Sequence, residues 1–115
     1  MPKARVDQVL LFTGSIRRAL RASLMHSANA GDRDARRLVR RYWGVRFLTK
    51  PKRATVRPKS YSYWRRFREA HPKAFLAVMR GEALNLDLNA RKRWYEEAQD
   101  VFRESYRFRY GDRSA

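Results

Sequence analysis

Four arginines, Arg36, Arg37, Arg40 and Arg41, stand at positions i, i+1, i+4 and i+5. On a helix that spacing gathers all four on one face. Like charges this close repel unless an anion neutralises them. The chemistry on offer is phosphate binding, because a guanidinium forks onto phosphate oxygens with parallel hydrogen bonds. A merely solvated face is the competing reading. A second cationic stretch, KPKRATVRPK over 50–59, holds Lys50, Lys52, Arg53, Arg57 and Lys59 and no acid. Pro51 and Pro58 forbid a helix through it and favour an extended path. Such a strap can follow a phosphate backbone, or simply link two lobes. Arg17, Arg18 and Arg21 form a third basic group. A fourth candidate set follows the strap: Tyr61 and Tyr63 beside Arg65 and Arg66. Tyrosine and arginine together can stack on unpaired bases. Aromatics at helical spacing also build cores, so Trp64 and Phe67 are expected inside, Tyr61 outside and Tyr63 on either side.

Catalytic constellations are not evident. His26 and His71 are the only histidines, each beside an expected helix end with no partner at ligand spacing. Glu96 and Glu97 are consecutive and diverge on a helix, while Asp32 and Asp34 suit a helix start. The five glycines are scattered, so no phosphate-cradling loop is present. Absence of cysteine removes disulfides, thiol catalysis and thiolate zinc sites. The sequence therefore predicts no enzyme, no cofactor and no metal site.

Bulk properties agree with a polyanionic partner. The chain has 115 residues, a formal net charge of +17 and a pI of about 11.4. A small free domain with that surplus repels itself. Of the 28 basic residues, 22 are arginine, the residue suited to ordered contacts with phosphates and bases. Residues 1–59 carry 16 basic and 3 acidic residues, against 12 and 8 in 60–115. The first half is thus expected to face phosphates. No apolar run approaches the roughly 20 residues of a transmembrane helix.

The elements that must position these residues are helices, and the expected class is all-α. Val6, Val9, Leu10, Ile16, Leu20 and Leu24 predict a helix over Arg5–Ser27, with Gly14 a possible break. This opening, arginine-bearing with Ser15, Ser23 and Ser27 and a single acid, has the composition of a mitochondrial targeting segment. It reads equally as an ordinary basic amphipathic helix. As the sequence starts at Met1, such a signal would still be attached. Asp32 should cap a helix over Arg33–Trp43, with Ala35, Leu38, Val39 and Tyr42 as its apolar face and Gly44 ending it. Residues 45–49 look extended. Ser60 or Ser62 should cap a short helix over Tyr63–Ala70. Pro72 opens the apolar stretch Lys73–Met79, and Gly81 ends it. Leu84, Leu86 and Leu88 alternate through a connection. Asp87 or Asn89 caps a last helix over Ala90–Phe108 with Trp94, Ala98, Val101, Phe102 and Ser105 as its inner stripe. The expected organisation is a basic helical pair in 1–48, a cationic extended linker in 49–59 and a helical unit in 60–115.

Residues 57–110 resemble the HMG box, a three-helix L-shaped module that bends DNA through its minor groove. The resemblance rests on Pro58-Lys59, Ser62-Tyr63-Trp64-Arg65-Arg66-Phe67, His71-Pro72, and Tyr95-Glu96 followed by Phe102, Glu104 and Tyr106. It implies a three-helix C-terminal unit, Ser62, Tyr63 and the strap nearest the minor groove, and Phe67 and Phe102 in the core. The first helix is shorter than the family's. The tryptophan late in its second helix has no counterpart, leaving Trp64 or Trp94 to fill that space.

Three functions remain. The first is a structural, rRNA-binding component of a large ribonucleoprotein such as the mitochondrial ribosome, in the matrix and beside neighbouring proteins of that assembly. The second is an HMG-box-like architectural DNA binder, in a nuclear or other nucleoprotein compartment. The third is a helical subunit or assembly factor of a mitochondrial protein complex. A DNA bender should keep its basic residues on the box, yet the surplus lies before it, which favours the ribonucleoprotein.

Overall fold

A computed structural model describes residues 2–47 and 60–110, and side chains within 12–47 and 60–104. Five helices appear in order: α1 (Pro2–Asn29), α2 (Arg33–Trp43), α3 (Ser60–Ala70), α4 (Pro72–Arg80) and α5 (Leu88–Tyr110). Among the described residues there is no strand, so the class is all-α. The strap, with Lys50, Lys52, Arg53, Arg57 and Lys59, lies outside the described residues, as do the side chains of Val6, Val9, Leu10 and Ser105.

Helices α2, α3 and α5 all pack on α1, while α4 packs on α3. Helix α1 runs 28 residues without a break at Gly14. A glycine lowers helix propensity by only about 1 kcal/mol. Burial of Ile16, Leu20 and Leu24 together with Ser15, Ala19, Ser23 and Ser27 outweighs it. Those four small residues recur every fourth position, so they line one stripe of α1. Two of them, Ser23 and Ser27, meet α3 directly by hydrogen bonds. The turn between α1 and α2 is closed by Asp32 N–H donating to Ser27 O at 2.9 Å and Gly31 N–H to Ala28 O at 3.1 Å.

Helix α2 begins where the sequence predicts. Asp32 accepts from Ala35 N–H at 3.1 Å, and Gly44 ends the helix in the left-handed region at φ 68°. Ala35 and Val39 are buried, with Leu38, Tyr42 and Trp43 half-buried on the same side.

Helix α3 starts at Ser60, three residues earlier than its apolar pattern suggests. Glu104 on α5 explains the extension: its Oε2 accepts the Ser60 N–H at 2.7 Å, a cap supplied from another helix. Between α3 and α4, His71 is the N-cap residue and Pro72 the first helical position. The connection over 82–87 is held by two arginines, Arg17 donating to Glu82 O at 2.5 Å and Arg91 to Leu84 O at 3.3 Å. Each leaves its Nε buried with no hydrogen-bond partner among the described residues. Leu84 and Leu86 enter the core, whereas Leu88 opens α5 and is 64% exposed. Asp87, not Asn89, caps α5 by accepting from Ala90 N–H at 2.8 Å.

One core cluster includes residues from all five helices. Its aromatic centre joins α3, α4 and α5. Trp94 meets Phe67 edge-on at 5.1 Å and Tyr63 at 5.5 Å, and Trp64 lies 6.3 Å from Phe75. No helix of the described residues is long and apolar enough to cross a membrane.

Candidate nucleic-acid interface

The arginine face of α2 forms as its spacing predicts. Arg33, Arg37, Arg40 and Arg41 are exposed and Arg36 is half-buried, opposite the Ala35–Val39 side. The helix contains one acid, Asp34, and its cap supplies another, Asp32. Both are engaged from α3: Arg65 lies 2.5 Å from Asp32 Oδ2 and 3.6 Å from Asp34 Oδ2. Burial disfavours the Asp32 charge, but hydrogen bonds from Arg65 and the Ala35 N–H outweigh it and hold this carboxyl below its usual range. The same hydrogen bond strengthens the hold of Arg65 on its proton. Among the described residues, no arginine of α2 has an ion-pair partner. The helix C-terminus favours Arg40 and Arg41 through the backbone dipole, an effect of the same order as the like-charge repulsion along the face.

Gly44 turns the chain back beside this face. Its N–H donates to Arg40 O at 3.0 Å, and Val45 N–H donates to Val39 O at 3.3 Å. The returning segment borders an open concavity of about 450 Å³ lined by Arg36, Arg37, Arg40, Val45, Arg46 and Phe47. Arg36 is fixed there. Its Nε donates to Ala28 O at 2.7 Å, and its guanidinium lies 5.0 Å from the Phe47 ring centre. Sequence reasoning did not single out Val45, Arg46 or Phe47. The signal was Gly44: a C-terminal glycine reverses the chain and brings the next residues alongside the last helical turn.

The other expected contacts are distributed differently. Arg21 is exposed and lies over Trp43 at 5.2 Å, which places it by the end of α2. Arg18 is exposed on α1. Arg17 instead binds the Glu82 carbonyl. Tyr61 is half-buried with its ring edge toward His26 at 6.4 Å. Tyr63 is fully buried and donates its hydroxyl to Trp94 O at 2.8 Å. No face of it is open to a base. Burial, and then the nearby Glu97 charge, push its phenol far above the usual range. Arg66 donates from one nitrogen, Nη1, to both Glu97 carboxylate oxygens at 2.8 and 3.0 Å. Arg65 and Arg66 therefore brace α3 against α2 and α5. The resemblance that would set Tyr63 at a groove and the burial of Tyr63 do not fit together.

The serines of α1 have structural partners. Ser23 donates its hydroxyl to Ser60 O and accepts from Trp64 N–H at 3.1 Å. Ser27 accepts from Trp64 Nε1–H at 2.9 Å and donates to Tyr61 O at 3.0 Å. His26 Nδ1 lies 3.2 Å from the Ser60 hydroxyl. Nothing in the local sequence announces this seam, because its partners lie more than 30 residues away.

Compared with known proteins, the chain matches no family model, no curated protein and no solved structure.

Proposed function

We propose that this protein is a structural RNA-binding component of a large ribonucleoprotein, a mitochondrial ribosomal protein being the best-fitting case, and that it scaffolds rRNA rather than catalysing a reaction. The observation that carries this reading is the uncompensated arginine face of α2. Its two nearby acids are engaged by Arg65, so no acid among the described residues supplies its counter-charge. A phosphate ridge supplies it in the geometry guanidinium prefers. Helical placement of the arginines suits RNA, which proteins recognise largely by shape, phosphates and stacked single-stranded bases. In this reading residues 1–48 form a basic helical pair and the 49–59 strap passes between RNA segments. Helices α4 and α5 then meet neighbouring proteins.

The HMG-box-like DNA-binding reading of residues 57–110 draws support from the α3–α4–α5 order and the Phe67–Trp94 contact. It stands second because α1 packs on α3 and α5, and because the five-arginine face of α2, with no ion pair among the described residues, lies outside the box.

A salt-titrated binding competition tests the proposal, with structured RNA set against bent and linear duplex DNA. The full chain should prefer RNA, its log affinity falling against log salt by about 0.7 to 0.9 per phosphate neutralised. Replacing Arg37, Arg40 and Arg41 by Gln should lower that slope by about 2 to 3. A slope near zero on RNA, or a preference for bent DNA untouched by these substitutions, overturns the proposal.

A further inference from the structure

We infer that the concavity between α2 and the returning segment 45–47 receives one unstacked nucleotide of an RNA, its base against Val45 and Phe47 and its phosphates on the arginine rim. This rests on the RNA-binding reading and adds to it a kind of RNA feature, an extruded or bulged residue rather than a paired ridge.

Three observations carry it. First, the space is about 450 Å³, within the ~300–1,000 Å³ range of small-molecule sites and far more than one phosphate fills. Second, its lining is composite. Arg37, Arg40 and Arg46 are exposed at the rim and have no ion-pair partner among the described residues, while Val45 and Phe47 are half-buried and pack on the core. Such a lining offers an apolar surface beside the cations, which a bare phosphate ridge does not occupy. Third, Arg36 is already positioned. The Ala28 carbonyl holds its Nε, and its guanidinium stands over Phe47. A flat cation and a flat ring held together offer planar surfaces on which a base stacks, with little ordering left to do on binding.

Bases inside an A-form helix cannot reach such a floor, because stacking and pairing hold them in the duplex. The site therefore selects a residue that is already unpaired. Binding a paired stretch would use only the rim.

The test measures full-length protein by fluorescence anisotropy on three forms of one RNA hairpin. The first carries a single bulged nucleotide, tried with each of the four bases. The second has an abasic residue at the bulge, and the third is fully paired. Vesicles rich in phosphatidylserine serve as a competing anionic surface. At least one bulged form should bind about tenfold more tightly than the abasic form, the scale of one base stacked on an aromatic side chain. Phe47→Leu should remove that preference. The abasic comparison needs no protein variant, so it stands even if Phe47→Leu folds poorly. Equal affinity for bulged, abasic and paired forms, with the salt slope intact, overturns the nucleotide site and leaves the RNA-binding reading standing. Absence of salt-dependent binding to every RNA overturns both. Tighter binding to the vesicles than to any RNA also overturns both, in favour of a lipid surface.

Discussion

Ser27 illustrates how much of this fold rests on single hydroxyls. It accepts the Trp64 indole N–H and donates to the Tyr61 carbonyl, and its side is buried. Ser27→Ala leaves the indole donor inside without an acceptor. A buried unsatisfied group costs about 1–3 kcal/mol, so urea unfolding should show a loss of that size. Tyr63 makes a second residue-scale prediction through its proton. Burial and Glu97 hold its phenol far above the ordinary value of 10.0. Above about pH 10 the unfolded chain releases this proton and the folded chain keeps it, so rising pH favours unfolding. Each pH unit there should remove about 1.4 kcal/mol through this one group. Tyr63→Phe should lose about 1 kcal/mol at neutral pH with the hydrogen bond to Trp94 O, and should show a shallower alkaline decline. Parallel unfolding curves for the two proteins at pH 8 and pH 11 check both signs.

At the scale of elements, the long helix α1 is held by packing rather than by propensity. Gly14 shows this. A methyl group added there meets nothing within 4 Å, and its backbone is helical. Gly14→Ala should therefore raise stability by about 0.5–1 kcal/mol, by favouring the helix and by restricting the unfolded chain. Thermal unfolding reads the gain, and a loss would mean that Gly14 serves a contact the fold does not contain. Helix α2 is the opposite case, with ends written locally. Asp32 and Gly44 cap it, and its apolar and basic sides separate cleanly in the sequence. That is why its bounds were legible to the residue. Helix α3 was legible only in its apolar part, because its first turn depends on Glu104, 44 residues away.

At the scale of the molecule, the two halves that charge and the proline-bearing strap suggest share one core. Ile16, Leu20 and Leu24 of α1 belong to the same cluster as Trp64, Phe67 and Trp94. Residues 60–115 alone would expose the seam side of Trp64, leave its indole N–H without Ser27, and uncover α5 where α1 lies on it. That fragment should show little cooperative unfolding by circular dichroism, whereas the full chain should unfold in one transition. A fragment with a sharp transition of its own would mean that the α1 contacts are dispensable.

The sequence by itself determined the all-helical class, the five helices in order, the caps Asp32, Gly44 and Gly81, the inner stripes around Leu20, Val39 and Trp94, and the basic face of α2. All of these follow from local signals: helical periodicity, capping chemistry and the side of a helix on which a residue falls. Tertiary structure alone decided which cations remain available. Arg65 and Arg66 look like binding residues beside tyrosines, yet acids on α2 and α5 engage them. Arg17 is drawn to a backbone carbonyl 65 residues away. Arg37 and Arg40 have no ion-pair partner among the described residues, and Arg46 and Phe47 join them because Gly44 folds the chain back. Charge compensation is a matter of distance in space, and periodicity carries no record of what lies across a helix interface.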